Sequence, residues 1–114
     1  MAFRKNELAA VEKALYAFLQ RKRPPEHVRS KVDIGFKISG QSIELVEIRP
    51  RWDKPSIYEQ HPFARTTFIR TQNVWKLFWL RANMKWHPYT PTLFTSIDEV
   101  LTVIEQDEHG CFFG

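Results

Sequence analysis

Arginine, lysine and tryptophan side chains alternate along the middle of the chain, and these residue types are well suited to binding a ligand. Cations neutralise the phosphates of nucleic acids, and tryptophan rings stack on unpaired bases. Arginine and tryptophan interleaved on a β-sheet would supply both kinds of contact. The sequence therefore predicts a nucleic-acid-binding surface formed by Arg49, Arg51, Trp52, Arg70, Lys76, Arg81, Lys85 and Trp86. Arg65 is a further cation on the strand that leads to Arg70.

Two other interpretations use the same residues. Trp75, Trp79 and Trp86 could instead lie in the core, with the arginines packed over them as cation–π or rim contacts. Alternatively, an aromatic sheet face that no helix covers would form a larger exposed patch than monomers usually have. A protein partner or a symmetric homodimer would bury such a face. A nucleic-acid-binding module is the leading hypothesis, and a protein–protein module or homodimer is the alternative.

Two carboxylates on neighbouring strands would provide a different chemistry. Asp33, together with Glu44 or Glu47, could hold Mg²⁺ across a hairpin as a nuclease does. Glu47-Ile48-Arg49 resembles the acid–x–base step of restriction-endonuclease-like enzymes, but arginine replaces the usual lysine and cannot donate a proton at neutral pH. Solvated carboxylates at a sheet edge are far more common than metal ligands. We therefore keep the nuclease as a third hypothesis and favour a non-enzymatic protein.

The histidines and the cysteine give no clear site. His109 and Cys111 could donate two metal ligands, or a thiolate beside a base, but their spacing indicates no third ligand. His109 near the end of a helix is explained more simply as a cap stabilised by the helix dipole. The sequence predicts no metal, no other cofactor and no identifiable catalytic residue.

Length and composition limit the architecture. A chain of 114 residues with 43% hydrophobic residues predicts a single domain over residues 1–114. The net charge of +4 modestly favours acidic partners. With Cys111 as the single cysteine, no internal disulfide can form, which is consistent with a reducing compartment. The chain has neither a secretory signal nor an apolar run of membrane-spanning length, so we expect a cytoplasmic protein that does not enter a membrane.

Hydrophobic periodicity predicts a helix at each end of the chain. The first helix is expected at about residues 6–22, with Asn6 as N-cap and Glu7 in the first turn, and Pro24-Pro25 should stop it. The second helix should open with Ser96 as N-cap and Glu99 three residues later, which is a capping box. Gly110 suits the left-handed residue that ends a helix. The apolar last four residues, 111–114, should dock against the body of the protein.

Four strands are predicted between the helices. Val32–Ile38 alternates in period two, Ser39-Gly40-Gln41 forms a turn, and Ile43–Ile48 returns as the second strand of a hairpin. Asp53–Pro62 carries two prolines and reads as a loop of about ten residues. Phe63–Thr71 and Val74–Arg81 follow as the third and fourth strands. The predicted fold is therefore an α+β domain, in which a four-stranded antiparallel sheet is flanked by an N-terminal and a C-terminal helix.

The richest aromatic stretch is Val74–Tyr89, which holds three of the four tryptophans and predicts a central strand buried on both faces. A tight turn at Gln72-Asn73 would pair Arg70 with Trp75 and Phe68 with Leu77, and cross-strand partners share a face. One face would then carry Trp75, Leu77, Trp79, Arg81, Phe68 and Arg70. The other would carry Val74, Lys76, Phe78, Leu80, Ile69 and Arg65.

Three segments together resemble the motifs of an uncharacterised bacterial family. They are RPRW at residues 49–52, WKLFWLRANMKWHPY at 75–89 and DEHGCFFG at 107–114. The resemblance extends over nearly the whole chain, and the tryptophan-rich segment with its trailing Lys-Trp-His is the most specific part. It implies a small bacterial protein that belongs to a domain-of-unknown-function family. The family has no assigned activity, so it brings no catalytic residues to this chain.

Overall fold

The computed structural model describes residues 2–113, except for the side chain of Thr92, so Gly114 of the last family motif lies outside the described residues. The architecture is α+β, as predicted, with both main helices at the ends of the described chain. The sheet is antiparallel but has five strands, so the prediction of four strands was wrong. The elements are α1 Lys5–Lys22, a 3₁₀ turn Glu26–Val28, β1 Asp33–Ser39, β2 Ser42–Pro50, β3 Tyr58–Ile69, β4 Val74–Leu80, β5 Trp86–Phe94 and α2 Ile97–Gln106.

The first helix lies close to where its pattern places it, but its cap differs. Arg4, and not Asn6, is the N-cap residue. The Glu7 carboxylate accepts a hydrogen bond from the Arg4 backbone N–H at 2.7 Å, so an acidic residue satisfies the free donor of the first turn. Val11, Leu15 and Phe18 form its buried stripe.

The second helix begins as predicted and ends early. Ser96 Oγ accepts a hydrogen bond from the Glu99 N–H at 3.1 Å, which confirms the N-cap. The helix ends at Asp107, whose φ of 45° is left-handed, and Gly110 with φ 66° forms a later turn. Asp107 replaces glycine here because its short polar side chain tolerates this conformation. None of the helices within residues 2–113 has the length and apolar character needed to cross a membrane.

The fifth strand was missed because prolines interrupt it. Trp86–Phe94 pairs with β4 and forms one edge of the sheet. Pro88 and Pro91 lack N–H donors, so they read as breaks in the sequence, but an edge strand tolerates prolines because one side has no ladder to complete. The aromatic run Val74–Tyr89 is therefore a hairpin and not a single buried strand.

The third strand begins earlier than predicted and shortens the expected loop. Residues from Tyr58 onward pair with β2, which leaves only residues 51–57 as the connection. Pro62 lies at a bulge, where the register shifts opposite Leu45 and Val46. β4 pairs with β3 only from Ala64 onward. Tyr58–Phe63 thus has a strand on one side only, where a proline can be accommodated.

The connection between β3 and β4, in contrast, is longer than predicted, because it spans residues 70–73. Asn73, with φ 54°, closes a turn in which its N–H donates to the Arg70 carbonyl at 3.2 Å. Phe68 consequently pairs with Trp75, and not with Leu77. The register differs from the predicted one by two residues. Because side chains alternate with a period of two, the strand residues keep their predicted faces.

Both helices pack on one face of the sheet, which we name the covered face. Its buried strand residues are Ile43, Leu45, Ala64, Thr66, Trp75, Leu77, Tyr89 and Phe94. The buried residues of α1 and α2 all belong to this same core cluster, so neither helix covers the opposite face, which we name the open face. Its central residues are Lys37, Glu44, Arg65, Thr67, Lys76, Phe78, Leu80 and Trp86. Phe78 and Leu80 are half-buried, so β4 is not buried on both faces.

Candidate functional site

The predicted site residues do not lie on one surface. Arg70 belongs to the side of the sheet that the helices cover, and its side chain is only 19% exposed. Its Nη2 donates to Glu7 Oε1 at 2.7 Å and to the Ala2 carbonyl at 3.1 Å. Hydrogen bonds from the Arg70 guanidinium and from the Arg4 backbone N–H lower the pKa of Glu7 to about 2. Arg70 therefore fastens the start of α1 to the end of β3.

Arg81 and Lys85 occupy the turn between β4 and β5. The Arg81 guanidinium lies over the Trp79 ring, 5.4 Å from its centroid, which is the cation–π contact of the core interpretation. The Arg81 N–H donates to the Lys85 carbonyl at 3.1 Å, and this bond closes the turn. Both side chains are exposed. Met84 in the same turn is exposed as well, and its backbone is left-handed, with a φ of 64°.

Arg49, Arg51 and Trp52 lie at the projecting end of the β2–β3 hairpin. Both arginines already have acidic partners. Arg49 pairs with Glu47. Arg51 binds both Asp53 oxygens, at 3.0 and 2.8 Å, and contacts Glu59 at 3.2 Å. Trp52 is 94% exposed and stands at the tip. This end of the molecule presents an aromatic side chain among charges that largely cancel.

Lys76 and Trp86 are the two predicted residues that lie on the open face. Trp86 is opposite Leu80 on the neighbouring strand, and Phe78 is opposite both Pro88 and Arg65. This arrangement leaves a shallow cleft of about 210 Å³, lined by Arg65, Thr67, Phe78 and Trp86.

The cleft could be found only in part from the sequence. The period-two pattern put Phe78 on the same face as Lys76 and Arg65, and that assignment is correct. No pattern in the sequence marks Phe78 or Thr67 as site residues, however. Trp86 lies on this face because it belongs to β5. The prolines of that strand prevent its prediction from the sequence.

The comparisons with known proteins identify a family. A family model described as a domain of unknown function (DUF3024) matches residues 3–114. The chain belongs to the DUF3024 family. This confirms the resemblance to an uncharacterised domain family. Neither the curated proteins nor the solved structures gave a match.

The last motif of this DUF3024 chain has a structural role. The Asp107 carboxylate accepts hydrogen bonds from the Phe112 and Phe113 N–H groups, at 3.0 and 2.7 Å. Phe112 is 8% exposed and packs against Tyr89, with ring centroids 5.3 Å apart. Phe112 is thus docked on the body of the protein, as predicted.

The carboxylates of the nuclease hypothesis are separated in this DUF3024 domain. Asp33 pairs with Ile48 across the β1–β2 ladder, so its side chain lies on the opposite face of the sheet from Glu47. Glu44 shares the face of Asp33 but pairs with Lys37, four residues further along β1. Both Asp33 oxygens accept hydrogen bonds from Arg23 at 2.8 Å. These bonds lower the pKa of Asp33 and hold it as a structural anion.

The possible metal ligands near the end of the chain, His109 and Cys111, gain no third ligand among the described residues. Burial raises the pKa of the Cys111 thiol, and the nearby Asp107 carboxylate adds to the effect. The thiolate that a metal or a substrate would need is therefore disfavoured. His87 Nε2 is buried without a hydrogen-bond partner among the described residues. Within residues 2–113, no three His, Cys, Asp or Glu side chains are grouped in a way that could hold a metal ion.

Proposed function

We propose that this protein is a non-enzymatic nucleic-acid-binding module and that the open face of its sheet is the binding surface. The observation that carries the proposal is the combination of charge and exposure on this face. Three cations, Lys37, Arg65 and Lys76, share it with one central carboxylate, Glu44. Arg65 is 39% exposed, and the aromatic residues Phe78 and Trp86 are accessible beside it. Cations beside accessible rings are what a nucleic-acid platform requires.

The proposed surface keeps part of the set predicted from the sequence. Lys76, Trp86 and the further cation Arg65 remain, while Lys37 and Phe78 are added. Arg70 is left out because its guanidinium is bound to Glu7 and to a backbone carbonyl. The remaining predicted residues lie at the opposite end of the sheet from Arg70 and are not part of the proposed surface, namely Arg49, Arg51, Trp52, Arg81 and Lys85.

A salt titration of binding to labelled single-stranded and duplex oligonucleotides tests the proposal. Each phosphate that a cation neutralises contributes roughly −0.7 for single strands, or −0.9 for duplex, to the slope of log K against log salt. Lys76→Gln should weaken binding and flatten the slope by about one contact. Lys13→Gln, which removes an exposed cation on α1, should leave the slope unchanged. Absence of binding at low salt, or equal effects of the two variants, would contradict the proposal.

A symmetric homodimer through the open face is the second candidate. The observation in its favour is apolar exposure, since Leu93 is 52% exposed on β5 and half-buried Phe78 and Leu80 lie on the same face. Sedimentation equilibrium of the wild type and of Leu93→Asp tests this candidate. A dimer that Leu93→Asp dissociates would support it, and a wild-type monomer at high concentration would reject it.

Three further expectations from the sequence also remain predictions. They are the single-domain organisation over residues 1–114, the bacterial origin and the cytoplasmic location.

A further inference from the structure

We infer that the cleft between Phe78 and Trp86 holds an unpaired base, so that the ligand of the open face is a single strand and not a duplex. This inference rests on the proposed function, because it names the class of nucleic acid that the same face would take. Phosphate neutralisation alone does not distinguish the two classes, since both present phosphates to surface cations. The distinction depends on the indentation in the face and on the residues that line it.

The cleft has an aromatic wall on two neighbouring strands. Phe78 and Trp86 lie diagonally across the β4–β5 ladder, because Phe78 pairs with Pro88 and Leu80 pairs with Trp86. Both rings are half-buried, so part of each ring is held against the protein while part of its surface stays accessible. Rings held in this way lose little side-chain freedom when a flat ligand stacks on them. An accessible volume of about 210 Å³ lies between them and β3.

Polar groups on β3 complete the lining. Thr67 Oγ1 and Ser42 Oγ are 2.8 Å apart and share one hydrogen bond. Whichever hydroxyl donates, Thr67 keeps capacity for a further bond to a ligand. Arg65 Nη1 is 4.0 Å from Glu44 Oε2, at the long limit of an ion pair, so its planar fork of donors is only loosely held. A base edge offers acceptors that such a fork can reach.

A duplex cannot use this cleft as a single strand can. In a duplex the bases are stacked on one another and only their edges face the grooves, whereas an unpaired base can turn out and stack on a protein ring. The cations around the cleft would contact either form through phosphates. The aromatic wall increases the affinity only for a strand whose bases are free. The difference in affinity between such a strand and the other ligands is therefore the quantity to measure.

The test compares three labelled ligands of equal length, namely a thymidine strand, an abasic strand with the same phosphates, and a duplex. The full chain should bind the thymidine strand about tenfold or more tightly than the abasic strand, which is the scale of one stacked base. Binding should quench tryptophan fluorescence for the thymidine strand and much less for the abasic strand.

Two conservative variants locate the contact. Trp86→Phe keeps a ring for stacking, so it should retain the affinity within about threefold while most of the quenching is lost. Trp52→Phe, which changes the 94% exposed tryptophan at the hairpin tip, should retain both. Trp86→Ala should reduce the preference for thymidine over abasic strands by about tenfold. Because Trp86→Phe is close in shape to the wild type, the test does not depend on the folding of Trp86→Ala.

The outcomes separate the two proposals. Equal, salt-dependent binding of all three ligands would overturn the single-strand inference and leave the proposed function standing. Quenching that survives in Trp86→Phe but disappears in Trp52→Phe would overturn the inference as well, because the stacking would then occur at the hairpin tip. No binding of any ligand at low salt would end the proposed function itself.

Discussion

Trp75 on the covered face and Trp86 on the open face belong to the same hairpin, but their surroundings differ. Trp75 is 6% exposed and packs between Phe3 and Phe68, with ring centroids 5.8 and 5.0 Å away. Trp86 is half-buried beside a cleft. The same residue type therefore fills the core in one place and remains available to a ligand in the other.

The cations of the two faces differ in the same way. Arg70 on the covered side is bound by the Glu7 carboxylate, and its role is to hold α1 against the sheet. Arg65 on the open face is 39% exposed, and its ion pair with Glu44 is long, at 4.0 Å. The element packed against a residue therefore decides its role more than its chemical type does.

The largest expected effect comes from removing a tryptophan on each face in turn. Trp75→Ala should lower the free energy of unfolding by about 3–5 kcal/mol, because it opens a cavity in the core. Trp86→Ala should cost about 1–2 kcal/mol, since less of its surface is buried on folding. Urea unfolding of both variants measures the difference. Equal losses would mean that the open face is packed as tightly as the covered one.

A second prediction concerns the pH dependence of the covered side. Glu7 has a pKa of about 2 in the folded protein against an ordinary 4.5. The unfolded chain therefore binds more protons between these values, so this group stabilises the fold above about pH 4.5 and its contribution is lost as the pH falls toward 2. Glu7→Gln should flatten that part of the stability curve.

The control for Glu7 is Glu12→Gln, five residues further along α1. Urea midpoints measured from pH 2 to 6 should show a smaller pH dependence for Glu7→Gln than for the wild type, and an unchanged one for Glu12→Gln. A wild-type slope that persists in Glu7→Gln would show that Arg70 does not hold this carboxylate as described.

The smallest expected effect is on the open face. Glu44→Gln removes the one central carboxylate there, so single-strand affinity should rise about twofold while stability changes by less than about 1 kcal/mol. Fluorescence anisotropy at low salt measures the affinity, and urea unfolding measures the stability. A fall in affinity would indicate that Glu44 orients Arg65 for the ligand and does not oppose it.

Periodicity and caps made much of this fold predictable. The stripe of α1, the Ser96 cap and the faces of β3 and β4 all follow from spacing, and the faces survive a register error because that error is an even number of residues. The fifth strand could not be predicted, since an edge strand tolerates prolines that a central one does not. The ion pair of Arg70 could not be predicted either, because its partner Glu7 is distant in sequence and only the fold brings the two together.

The most direct test of the two-face account follows the four tryptophan indole N–H signals in a ¹H–¹⁵N NMR spectrum, assigned with single Trp→Phe variants. A thymidine strand added in steps should shift the Trp86 signal and leave the buried Trp75 signal in place. Shifts at Trp52 alone would place binding at the hairpin tip. Shifts confined to Trp75 and Trp79, with Trp86 unchanged, would contradict the assignment of the open face as the binding surface.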